Sequence, residues 1–124
     1  MAEIVLIHGA GDSGAVWERQ SKHFTPRHRV FALDLPGHGT RLSEDGLSRH
    51  ESYAADVCRF LDQQKVTRAV VAGHSMGGAV AMMMTLQYPE RVAALVLVAT
   101  GEMRDGDLAV RNIAPEIART VELR

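Results

Sequence analysis

The sequence predicts an α/β fold built on a parallel sheet. Three observations carry this. Four short apolar runs, Ile4–Ile7, Val30–Leu35, Ala69–Ala72 and Val92–Ala99, are mostly rich in Val, Ile and Leu with little alternation. Such runs suit strands buried on both faces. Segments of helical periodicity lie between them, so strand and helix alternate and a fourth strand closes the series. That order calls for right-handed crossovers packed against the sheet.

Each element has its own signal. After the first strand, Ser13 is placed to cap a helix carrying Val16, Trp17, Gln20 and Phe24 near one face. The second strand, Val30–Leu35, leads into a polar, glycine-rich loop over Pro36–Ser48. Ser48-Arg49-His50-Glu51 matches a capping box. It precedes Tyr53, Val57, Phe60, Leu61 and Gln64, an i, i+4, i+7, i+8 stripe. A third helix is predicted from about Met76 to Tyr88, with Pro89 helping to end it. Beyond Ala99 the pattern weakens, and no clear strand is legible there. The expected division is a core over 1–100 and, over 101–124, the start of a lid region or a frayed tail.

Composition narrows the function. At 124 residues the chain has room for one domain and a real core. Fourteen basic against fifteen acidic residues leave no basic surplus for a nucleic-acid partner. The single cysteine, Cys58, excludes an internal disulfide and a cysteine-cage zinc site. No stretch approaches the ~18 apolar residues of a membrane span. A soluble, cytoplasmic protein with no membrane partner is the expectation.

Chemistry concentrates at Gly73-His74-Ser75-Met76-Gly77, a G-x-S-x-G motif that follows the third strand and opens the third helix. In that context the serine sits on a sharp, strained turn that lifts its hydroxyl above the sheet. Side chains two positions either way would collide, so the elbow needs Gly73 and Gly77. Ser75 is therefore the candidate nucleophile. Acyl transfer also needs two N–H donors for the developing oxyanion. The Met76 amide, next to the nucleophile and at a helix N-terminus, is one candidate. The loop His8-Gly9-Ala10-Gly11 after the first strand offers the other, Ala10, among small residues that permit close backbone approach.

Taken together, VLIHGAG, DLPGHG, GHSMGG and YPERVAALVLVAT resemble the α/β-hydrolase superfamily, in its serine esterase, lipase and C–C hydrolase group with an HG-x-G loop. The likeness runs from about Ile4 to Thr100. It implies a partial α/β-hydrolase fold with parallel strands in the order 2-1-3-4. It also implies that Ser75 attacks carboxylic esters or related small acyl compounds, with Ala10 and Met76 as oxyanion donors and no cofactor or metal. His8, Gly9, Trp17, His38 and His74 are candidate pocket-lining residues.

The resemblance also implies a triad in the order serine, acid, histidine. All six histidines of this chain precede Ser75. Glu102 is the candidate acid, and a solvated loop carboxylate is its ordinary alternative. The expectation is a chain truncated relative to the family, with C-terminal strands missing and little or no activity alone. The fourth strand then becomes a long apolar edge, with an exposed apolar patch beside the first helix or self-association hiding it.

Two other function classes compete. Gly9-Ala10-Gly11-Asp12-Ser13-Gly14 fits G-x-G-x-x-G, and Asp34 follows twenty residues later. That is the dinucleotide-binding fingerprint, with Asp34 on the ribose. It leaves GHSMGG unexplained. A non-catalytic α/β interaction domain is the third reading.

Overall fold

The computed structural model describes residues 2–98 and the strand Val121–Leu123. One sheet holds β1 (Glu3–Ile7), β2 (Arg29–Ala32), β3 (Ala69–His74), β4 (Val92–Val98) and β5 (Val121–Leu123). The order is β2-β1-β3-β4-β5, with every neighbouring pair parallel. The first four strands thus stand in the order 2-1-3-4. Because all run the same way, the turns leaving β1, β2 and β3 gather at one end of the sheet. In open parallel sheets that end is where ligands bind.

α2 (His50–Gln63) and α3 (Met76–Gln87) cover one face. Tyr53, Ala54, Val57 and Leu61 from α2 and Val80, Ala81 and Met84 from α3 meet Val5, Ile7, Val71 and Leu95 of the sheet. Met82 and Met84 are buried there, as adaptable fillers of a tight core. Cys58 is buried in the same layer, and its burial raises the thiol pKa. Arg41 clasps this layer from outside. Its guanidinium bonds both carboxylate oxygens of the nearly buried Asp56, at 2.7 and 3.0 Å, and also reaches Glu44.

The opposite face is thinly covered by the described residues. Ile4, Leu6 and Ala72 are buried under Trp17, while Val30, Val70, Val96 and Val98 are only half-buried and Ala94 is exposed. α1 (Glu18–Phe24) buries no residue of its own. Val16 and Phe24, expected on its inner face, are 49% and 37% exposed. Trp17 is the buried side chain of this segment.

Three local expectations change. Ser13 does accept a bond from the Ala15 amide, but it caps a single 3₁₀ turn, Gly14–Trp17, and the α-helix begins only at Glu18. The Ser48 capping box is not made. Arg49 is the N-cap of α2 and no side chain caps it, while Tyr53 Oη accepts the Leu47 amide just upstream at 3.0 Å. β2 stops at Ala32, and the Leu35 amide leaves the sheet for a side-chain partner.

The largest change concerns the expected edge. β5 pairs with β4 along Val96–Val98, so that part of β4 is an inner strand. A three-residue strand is too short to show alternation, which is why the sequence displayed none. The exposed apolar surface lies on the open face, the one against which Trp17 packs.

Candidate active site

β1 and β3 pair with Ile7 opposite Gly73. This register fixes the site, because the residues just after each strand must then lie side by side. After β1 come His8, Gly9 and Ala10. After β3 comes Ser75, the one residue between the strand and α3.

Ser75 has φ 56° and ψ −118°, and it is exposed. A non-glycine residue with positive φ is strained, and here the strain produces the sharp turn. The flanking glycines show why the turn admits no alternative. A Cβ on Gly73 would lie 2.1 Å from the Gly77 carbonyl oxygen. One on Gly77 would lie 2.1 Å from the Ile7 oxygen and 2.6 Å from the His8 oxygen. β3, the start of α3 and the exit of β1 therefore touch backbone to backbone.

The loop after β1 abuts the serine. A Cβ built on Gly9 would fall 3.3 Å from Ser75 Cβ and 3.4 Å from both His74 Nδ1 and Asp12 Oδ2. Ala10 is exposed and Met76 half-buried. Among the described residues, no group accepts a hydrogen bond from either amide. Among the described residues, then, nothing competes with an external acceptor for either N–H, and the α3 macrodipole favours negative charge near Met76.

The candidate wall residues divide. Gly9 and the half-buried His74 lie beside Ser75. His8 is fully buried and presents no surface to a pocket. Its Nε2 accepts the Leu35 amide at 3.0 Å, and its Nδ1 lies 2.7 Å from the Gly9 oxygen. Burial lowers its pKa below the ordinary 6.5, against the raising effect of the Gly9 carbonyl. His38 is half-buried, with Nδ1 3.0 Å from the Pro36 oxygen and its ring 4.9 Å from that of His8. Trp17 is buried under the sheet among Ile4, Leu6 and Ala72, as a core anchor. Glu102 lies outside the described residues.

Asp34 has a clear employment. It accepts the Gly14 amide at 2.7 Å, the Thr40 amide at 3.0 Å and the Thr40 hydroxyl at 2.7 Å. Burial opposes its charge, but these three donors prevail and hold its pKa below the ordinary value. Gly39, at φ 54°, has no room for a side chain, since a Cβ would lie 2.5 Å from this carboxylate. Asp34 therefore ties the loop after β1 to the loop after β2. The dinucleotide alternative is not favoured: the carboxylate meant for a ribose is engaged within the chain, and the glycine motif opens a 3₁₀ turn. Sequence reading missed the structural role of Asp34. The signal was Thr40 six residues on, beside a glycine with positive φ.

A cleft that Ser75 does not line lies between the 36–47 loop and α2, lined by Arg41, Glu44, Asp56 and Phe60 among others. Its Arg41, Glu44 and Asp56 charges pair with one another. Among the described residues no three His, Cys, Asp or Glu side chains gather as a metal site.

Comparison with known proteins bears on this geometry. The profile of the alpha/beta hydrolase fold family matches residues 3–122. Pimeloyl-[acyl-carrier protein] methyl ester esterase of Vibrio campbellii is 35% identical over 118 residues, covering 93% of this chain and 43% of that protein. The solved structure of Est816, described as an N-acyl homoserine lactone degrading enzyme, superposes with a TM-score of 0.73 at 30% identity, covering 90% of this chain and 46% of that one. The enol-lactonase from Burkholderia xenovorans LB400 gives 0.73 at 28% identity, over 78% of this chain and 37% of its own. The chain spans less than half the length of the curated relatives it matches.

Proposed function

The chain belongs to the alpha/beta hydrolase fold family, and from that premise we propose that it carries the nucleophile half of a serine hydrolase acting on carboxylic esters or related acyl compounds. The observation that carries this is Ser75: exposed, held at positive φ, and pressed against the Gly9 loop. The similarity to a methyl ester esterase supports a small ester substrate.

In this reading Ser75 Oγ bonds to the acyl carbon, and the carbonyl π pair moves to oxygen. The Ala10 and Met76 amides hold that oxyanion. Its collapse breaks the bond to the leaving alkoxide, which takes up the proton first removed from Oγ. Water then releases the acid by the same path. A hydroxyl needs a base to lose its proton. No histidine follows Ser75, so we assign the base and its acid to polypeptide outside these 124 residues. The chain alone is then a poor catalyst, because the oxyanion hole and binding leave only a residual acceleration.

Fluorophosphonate labelling tests this. Slow modification at Ser75, absent in Ser75→Ala, is expected, together with turnover of p-nitrophenyl acetate at least 100-fold below that of a complete esterase of the family. No labelling after prolonged exposure would favour a non-catalytic interaction domain. Turnover at the full rate would overturn the assignment of the base.

A further inference from the structure

His8 is buried in the protein interior, yet no step above uses it. Its ring connects two parts of the site. Nε2 faces the Leu35 amide, which can only donate, so Nε2 is an acceptor and carries no proton. In the neutral ring the proton then sits on Nδ1, which donates to the Gly9 oxygen. The Asp12 amide donates to that same oxygen at 3.1 Å. Two donors thus fix the direction of one carbonyl.

The Gly9 C=O and the Ala10 N–H belong to one planar trans peptide, so they point in opposite directions. Whatever holds the carbonyl also aims the amide. We propose that His8 is a positioning residue: by holding the Gly9 carbonyl inward with Asp12, it turns the Ala10 N–H outward to the space before Ser75. The hydrolase reading enters only in what that N–H is aimed at. The link to Leu35 extends the restraint to the loop after β2, so both loops bordering the site share one ring.

The arrangement requires a neutral His8. A second proton would go to Nε2, opposite the Leu35 N–H, and break that bond. The ionisable groups facing the ring are His38 and Asp34 from the loop after β2 and Asp12 from the loop after β1. His38 opposes a positive charge on His8, and the two carboxylates favour it. Burial is the larger effect, His38 adds to it, and together they hold the His8 pKa below its ordinary value.

Nuclear magnetic resonance on the full chain tests the proposal without relying on activity. Ring ¹⁵N shifts should show His8 protonated at Nδ1 alone at pH 7. The Leu35 amide resonance should shift when His8 takes up a second proton at Nε2, while the residual dipolar coupling of the Ala10 N–H, still held through Nδ1, and those of β1 stay constant. Asn places its amide nitrogen near the Nδ1 position. His8→Asn should therefore keep the Ala10 coupling, and His8→Phe should lose it. A proton on Nε2 at neutral pH would overturn the proposal even if His8→Phe does not fold, and so would an Ala10 coupling that is unchanged in a folded His8→Phe. Ser75 labelling is scored separately. With the hydrolase reading correct, His8→Phe lowers the labelling rate tenfold or more and His8→Asn restores most of it. Absence of labelling in the unaltered chain counts against that reading alone, and the ring and N–H measurements still decide His8.

Discussion

Ser75 stores strain, and that sets a testable opposition between stability and chemistry. Glycine adopts positive φ without penalty, so Ser75→Gly should raise unfolding stability by about 1 kcal/mol in urea titration while abolishing fluorophosphonate labelling. Gly77 is the converse case. The methyl of Gly77→Ala would meet the Ile7 oxygen at 2.1 Å, and that oxygen belongs to a strand end. A loss of more than about 4 kcal/mol, or failure to fold, is expected from chemical denaturation. These residues were legible in the sequence because the turn itself is local: the clash of Gly73 with Gly77 lies within five consecutive positions, while the contact of Gly77 with the Ile7 and His8 oxygens is visible only in the fold. His8 was visible only as a histidine after a strand. Its partner Leu35 lies 27 positions away, and no pattern in the sequence announces a side chain-to-backbone bond of that span.

Among the elements, β1, β3 and α3 were readable because apolar runs and glycines mark them directly. The ends of elements were less so. Ser48 fits a capping box by residue type, yet the helix starts one residue later, since a hydroxyl from Tyr53 engages the approach first. β5 was missed because three residues carry too little pattern. The loop pair after β1 and β2 depends on one carboxylate. Asp34→Ala removes the acceptor for the part-buried Gly14 amide as well as two bonds to Thr40. A cost of about 2 kcal/mol is expected in urea unfolding, most of it from the stranded amide. Calorimetric titration of the unaltered chain with NAD should show no binding. Micromolar affinity would reverse the account of Asp34.

For the whole molecule, acid should act in two stages. His8 has a lowered pKa when folded, so the unfolded chain takes up its proton first. Its stability contribution is intact above about pH 6.5 and declines as pH falls toward the folded value. Asp34 is also lowered, so its contribution is intact above about pH 3.8 and disappears as pH falls through its folded value. Urea midpoints between pH 8 and pH 3 should fall in both ranges, and a flat profile would contradict both assignments. The open sheet face makes a separate prediction. The isolated chain should bind a hydrophobic dye and sediment above monomer mass, and Ala94→Lys on that face should reduce both. A monodisperse, dye-silent chain would count against it.

The common direction of the strands divides the molecule's tolerance for change. Segments that return to the sheet, such as Lys65–Arg68 and Tyr88–Arg91, enter at the end opposite Ser75. Lengthening them taxes folding alone. The departing loops form a separate surface on which new selectivity can be written while the α2–α3 layer keeps its packing.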